Sequence, residues 1–362
     1  MTGLADRLAA RTLELVDIPS ESRHEEAIRE RLLSLVPERL ALEHAADEAF
    51  LFLPARRPGV PLVVLAGHYD TVPAQGNLPG RIEAGAVHGL GASDMKGGLA
   101  VVLELVRDLG ASAPGLYDAG LLLFGREELP AEDNPLPALF AGSRAIHEAA
   151  LAILLEPTDG RVEAGCLGHL VVRAVFHGRS GHSGRPWEAD NALSKAILGL
   201  APLAAREPRE AVVAGLSFFE TVSVTRLEAG IADNIVPDRA TATIGLRYPP
   251  DRTPAEAEEY LRSLLPADAT LEVVGNSPPA RVVADSPVVE RLLAAGARGL
   301  EPKLAWTNVA DFTSRGIDAV NFGPGHPRYA HRRDELVEIA GLVHAYETLR
   351  RFLLGEIGED DA

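Results

Sequence analysis

The chain has 362 residues, more than one hydrophobic core usually serves, so two domains are expected. With 46% hydrophobic and 24% charged residues, its composition is that of a folded globular protein. A formal net charge of −17 argues against nucleic acid and anionic membrane as partners, and any anionic substrate must find a local basic pocket.

Met1–Arg7 lacks the apolar core of a signal peptide, and no apolar run approaches the ~20 residues of a membrane span, so a cytoplasmic protein is expected. The single cysteine, Cys166, excludes an intrachain disulfide and is expected to be buried as a small hydrophobe. Gly358–Ala362 reads as a solvated acidic tail.

In chain order, helix-spaced leucines predict helices over 4–17 and 24–37. Residues 61–66 form an apolar strand, 97–109 a helix, and 120–124 and 151–155 two further apolar strands. Near-continuous apolar strands separated by helices predict an α/β layer buried on both faces. From about residue 169 the texture changes. Alternating strands at 170–177, 217–225 and 239–247, with helices near 190–204 and 254–265, give the order strand-helix-strand-strand-helix-strand and predict a small α+β unit whose sheet has one open face. From about 285 the α/β style returns, with an apolar strand at 317–321 and a closing helix over 334–354. The expected division is a catalytic domain of residues 1–168 and 285–362 with 169–284 inserted into it.

Chemistry-bearing residues fall at the ends of the predicted elements. His68-Tyr69-Asp70 follows the first apolar strand, where ligands of open α/β sheets gather, and an acid two residues after a histidine can orient the ring. Asp94, in a glycine-rich run, opens the next helix and could equally be its cap. Glu127-Glu128 follows the second strand; adjacent residues of extended chain point to opposite sides, so one can hold a metal while the other faces a reacting water. Glu156 ends the third strand, and His331 precedes the last helix. His68, Asp94, Glu128, Glu156 and His331 supply two imidazoles and three carboxylates without thiolate, a set suited to Zn²⁺ with Co²⁺ or Mn²⁺ as substitutes. With one bridging carboxylate they fit two ions roughly 3.5–4 Å apart, and Glu127 is the natural general base.

Gly67–Pro73, Gly91–Gly97 around Asp94, Glu127-Glu128, Leu155–Thr158 and Ala330-His331 together resemble, in order and nearly end to end, the M20 family of metallopeptidases and deacylases. The resemblance implies a zinc-peptidase-like α/β catalytic domain, with a mixed central sheet flanked by helices, and an inserted α+β domain that acts as lid and homodimer interface. It implies that His68 and Glu156 hold one zinc, Glu128 and His331 the other, and that Asp94 bridges. Asp70 would orient His68, and Glu127 would be the general acid and base. Glu163–Gly168, Gly178–Trp187, Ala232–Asp238 and Asn321–Gly325 are most similar to actinobacterial-type succinyl-diaminopimelate desuccinylases. That branch implies an oxyanion role for His182, often contributed by the partner subunit, and substrate contacts at Arg247, Asn234 and Thr307. Its reaction cleaves N-succinyl-LL-2,6-diaminopimelate to succinate and LL-2,6-diaminopimelate, in lysine biosynthesis. The alternatives within the family are acetylornithine deacetylase, another N-acyl-amino-acid hydrolase or a metallo-carboxypeptidase. Outside enzymes, the alternative is a silent binder of acyl-amino acids.

A serine mechanism at Gly181–Arg185 is disfavoured, because G-x-S-x-G needs glycine where Arg185 stands. Arg126 stands where many relatives carry an acid, a positive charge that could lower the pKa of Glu127 or bind substrate. The desuccinylase pattern Thr-Asp-x-x-Arg is replaced by Thr307-Asn308-Val-Ala-Asp311, a charge reversal near the expected substrate site.

Overall fold

The computed structural model describes residues 3–110 and 115–356; the acidic tail at 358–362 lies outside the described residues. The chain divides into two compact units, one within residues 1–164, 283–301 and 311–362, the other within 165–282 and 302–310. Segment 302–310, which carries Thr307, groups with the second unit rather than with the chain on either side of it.

The first unit is built on an eight-stranded mixed sheet. Its strand order is Leu40–Ala46, Ala49–Pro54, Asp118–Phe124, Leu62–His68, Ala149–Leu154, Ala319–Asn321, Val162–Cys166 and Leu300–Lys303. Leu62–His68 runs parallel to both Asp118–Phe124 and Ala149–Leu154, and Ala319–Asn321 runs parallel to the latter. Every residue of Leu62–His68 and Asp118–Phe124 is buried, which is why these strands read as unbroken apolar runs. The helices Leu4–Val16, Gly97–Leu109 and Ile339–Leu354 pack on one another, and Gly97–Leu109 also packs against Leu62–His68. Gly67 permits that approach, since a Cβ there would lie 2.7 Å from Leu99 Cδ2, and at Gly98 a Cβ would lie 2.4 Å from the Leu155 carbonyl oxygen beyond the next strand.

The second unit is a five-stranded antiparallel sheet in the order Arg209–Val213, Leu216–Ala229, Arg239–Tyr248, Gly168–His177 and Thr270–Ser277. The alternate residues Ala240, Ala242, Ile244, Leu246 and Tyr248 point into a core shared with Leu200 and Leu261 of helices Ala192–Ala204 and Pro254–Ser263. The strand Arg209–Val213 is an addition to the expected pattern. Among the described residues, no helix is long and apolar enough to cross a membrane.

The closing helix starts at Ile339, not 334. Leu336–Glu338 is instead a strand paired with Ala86–His88, and the Glu335 carbonyl accepts the Gly89 N–H at 3.0 Å. Long-range backbone pairing thus outcompetes local helix propensity over these residues.

Candidate metal centre

Three neighbouring parallel strands deliver the site from their carboxyl ends. His68 is the last residue of its strand, Glu127 and Glu128 follow Phe124, and Glu156 lies two residues beyond Leu154. The register holds these ends level: Tyr69 N–H donates to the Phe124 carbonyl at 2.9 Å and Leu155 N–H to the Ala66 carbonyl at 2.9 Å. Asp94 comes from a turn ahead of helix Gly97–Leu109, and His331 from the loop before the last strand.

His68 is fully buried. Its Nδ1 lies 3.1 Å from the Asp70 carbonyl oxygen and 3.4 Å from Asp70 Oδ1, so the ring proton sits on that nitrogen. The Nε2 lone pair then faces Asp94 Oδ1 at 3.2 Å and Glu156 Oε1 at 3.9 Å. His331 Nε2 lies 2.8 Å from Glu128 Oε1 and 3.5 Å from Asp94 Oδ2. Asp94 therefore stands between the two imidazoles and turns one carboxylate oxygen to each. Ligand atoms of His68, Asp94 and Glu128 lie within 4.8 Å of one another. Both His331 (φ 59) and Arg126 (φ 60) are non-glycine residues in the left-handed region, a strain that gathers at functional sites.

Asp70 organises the far side. Its Oδ1 accepts the Glu127 N–H at 3.0 Å and its Oδ2 the Glu128 N–H at 3.1 Å, while Ser22 Oγ–H donates to Oδ2 at 2.7 Å. One buried carboxylate thus orients the His68 ring and pins the backbone of both glutamates.

The electrostatics are those of a cation site. Burial pushes the Glu127 carboxyl well above the usual range; the nearby Glu156, Glu128 and Asp94 carboxylates add to this and His68 opposes it. Hydrogen bonds to Asp94 and then Glu128 raise His331 to about 10, and His68 is raised against its burial by Asp70 and Asp94. The imidazoles hold on to protons because they are the positive charges facing a crowd of carboxylates. A divalent cation offers these oxygens more charge and releases those protons, so the donor set fits a metal of nitrogen and oxygen preference.

Two charges flagged in the sequence are engaged elsewhere. Arg126 Nη1 donates to Asp47 Oδ2 at 2.8 Å, and the Glu127 pKa is raised rather than lowered. The Asp311 carboxylate accepts from Asn134 Nδ2 at 2.9 Å and lies 3.6 Å from Arg315 Nη1, so the reversed charge has partners of its own.

His182, Asn234, Arg247 and Thr307 belong to the second unit. Within it, Gly181-His182 pairs with Ile235-Val236, and Ser183 N–H donates to the Asn234 carbonyl at 3.0 Å, bringing His182 and Asn234 together. His182 Nδ1 accepts the Gly184 N–H at 2.9 Å, so a neutral ring carries its proton on the exposed Nε2, ready to donate. Arg247 is part-buried, faces His169 across the sheet, and makes no ion pair among the described residues. Thr307 is buried, and its carbonyl accepts from Cys166 Sγ at 3.8 Å. Cys166 is buried. Ser22 and Glu335 were missed from the sequence: both act on partners far away in the chain, and neither has a local signature.

A two-unit α/β molecule with a carboxylate–imidazole cluster at the strand ends defines a metal-dependent hydrolase. The chain belongs to peptidase family M20/M25/M40, whose model matches residues 64–355. It is 36% identical over 346 residues to a Mycobacterium tuberculosis protein provisionally named a succinyl-diaminopimelate desuccinylase, covering 95% of this chain and 97% of that one. It is 34% identical over 355 residues to the succinyl-diaminopimelate desuccinylase of Corynebacterium glutamicum, covering 94% and 95%. Its fold matches that of the aminopeptidase PepT of Bacillus cereus with a TM-score of 0.78 at 23% identity, covering 96% and 98% of the two chains.

Proposed function

We propose that this protein hydrolyses the amide of N-succinyl-LL-2,6-diaminopimelate, giving succinate and LL-2,6-diaminopimelate. The observation that carries the chemistry is Asp94, one oxygen on each imidazole. The substrate rests on the names of relatives similar over nearly the whole chain. In this reading His68 and Glu156 would hold one Zn²⁺ and Glu128 and His331 a second, with Asp94 shared between them and Co²⁺ or Mn²⁺ as substitutes. Such a metal pair polarises the amide carbonyl and acidifies the attacking water.

The protein's own residues do the rest. Glu127, whose raised pKa suits a group that must take and return a proton, removes a proton from the water as its oxygen bonds to the carbonyl carbon. As the C–N bond breaks, protonated Glu127 returns that proton to the leaving nitrogen, so the group ends as it began. Asp70 keeps His68 in the tautomer that points its lone pair inward and holds the Glu127 backbone in place. His182 is assigned to the oxyanion, and Arg247, Asn234 and Thr307 to recognition of the substrate's carboxylates. The second unit is assigned as lid and homodimer interface, and the protein to the cytoplasm.

The test is succinate release from N-succinyl-LL-diaminopimelate by zinc-loaded protein, with N-acetylornithine and acyl-dipeptides alongside. Rapid, chelator-sensitive turnover of the succinyl compound alone is expected. Preference for another amide would keep the mechanism and overturn the substrate, while zinc-loaded protein silent on the whole panel would overturn both.

A further inference from the structure

Glu335 is 2% exposed and takes part in none of the steps above. Its carboxylate nevertheless collects the backbone of the turn that carries Asp94. Oε2 accepts the Gly91 N–H at 3.0 Å, and Oε1 accepts the N–H groups of Ser93 and Asp94, each at 3.0 Å. The Glu335 carbonyl accepts from Gly89 at 3.0 Å. Four amides between residues 89 and 94 converge on one residue more than 240 positions away. Gly91 is in the left-handed region (φ 78), and a Cβ there would lie 2.8 Å from Thr71 Cγ2, so this turn calls for glycine at 91.

The arrangement repeats the one at Asp70. There, too, a buried carboxylate takes the backbone amides of the acidic residues it positions, Glu127 and Glu128. Where the Asp94 backbone sits decides whether its two oxygens can face His68 and His331 together, and a shift of under an ångström would lose one of them. A carboxylate is the group for this task, because it offers several acceptor lone pairs and no donor.

We propose that Glu335 is a positioning residue for the metal centre, fixing the 89–94 turn so that Asp94 serves both metal positions. This rests on the reading of Asp94 as a bridging ligand. Glu335→Gln keeps the shape but turns an NH2 group toward an amide N–H that needs an acceptor. Glu335→Asp keeps the charge but is one methylene too short to reach all three amides. Val289→Ala, in the buried face of helix Pro287–Ala294, serves as a stability control away from the turn.

The experiment is calorimetric titration of each purified full-length variant with Zn²⁺, with the visible absorption of the Co²⁺-loaded proteins and thermal midpoints measured in parallel. Both Glu335 variants are expected to bind Zn²⁺ roughly 10–100-fold more weakly and to change the Co²⁺ spectrum. Val289→Ala should lose thermal stability while keeping wild-type affinity and spectrum. Glu335 variants with wild-type affinity and spectrum, whatever their midpoints, would overturn the proposal. So would failure of both to fold, which would place the residue's role in the fold rather than at Asp94. Wild-type protein that binds no Zn²⁺ would instead overturn the bridging reading beneath it.

Discussion

At the scale of single residues, Arg126 sets apart two neighbours of the same type. Its left-handed backbone turns the chain so that the Glu127 and Glu128 amides both reach Asp70, while Glu128 extends to His331 and Glu127 lies among the carboxylates. Glu127→Gln is near-isosteric and removes only the ability to carry the proton. It should lower kcat by roughly 10²–10⁴ while metal content stays at the wild-type level. Turnover within a few-fold of wild type, measured beside metal analysis, would take the base role from Glu127. Gly98 marks a packing limit at the same scale. Gly98→Ala puts a methyl group 2.4 Å from the Leu155 carbonyl oxygen, next to Glu156, so helix or strand backbone must shift to take it. A loss of about 1–3 kcal/mol is expected by denaturant titration, and an unchanged midpoint would mean that the helix can slide away from the strand.

At the scale of elements, helix Pro254–Ser263 begins with a reciprocal cap. The Thr253 hydroxyl accepts the Glu256 N–H at 3.3 Å, and the Glu256 carboxylate accepts the Thr253 N–H at 2.8 Å, with Pro254 in the first turn. Thr253→Ala should cost about 1 kcal/mol in the stability of the second unit, and a change below about 0.3 kcal/mol, under the bottom of the usual capping range, would show the cap to be redundant with the burial of Ala257 and Leu261. The sheet beneath that helix carries a pH dependence. Burial, and then the charge of Arg247 opposite, pushes His169 down to about 4, against about 6.5 for the unfolded chain. Between these values the unfolded chain takes up a proton that the folded sheet refuses. The stability present above pH 6.5 is therefore lost as pH falls toward 4. The advantage in thermal midpoint of wild type over His169→Gln should shrink across that window, and a constant difference would show that His169 does not titrate as described.

Legibility from sequence follows how local each determinant is. Leu62–His68 was readable because an interior parallel strand is apolar throughout, and Arg239–Tyr248 because only one of its faces is covered. In Leu40–Ala46 only Leu40 is buried, so that edge strand carries neither pattern. The candidate ligands were readable because each stands in a motif at an element end. Ser22, Glu335 and the start of the last helix were not, because partners at residues 70, 89–94 and 86–88 decide them.

At the scale of the whole molecule, each unit has its own sheet, and every candidate metal ligand lies in the first. Metal binding should therefore stabilise that unit through linkage, by about 2.7 kcal/mol at a hundredfold excess over Kd, without stabilising the second directly. The carboxylate crowding around Asp94 sharpens the effect, since removing the cation leaves like charges facing one another in a buried site. Hydrogen exchange read by peptide, with and without chelator, separates the units. Protection of strands Leu62–His68 and Asp118–Phe124 should fall on chelation, while Gly168–His177 and Arg239–Tyr248 keep theirs. Equal loss in both sheets would mean that the two units open as one cooperative block. No loss in the first would mean that the cluster at the strand ends holds no metal, and with it the hydrolytic reading of the site would go.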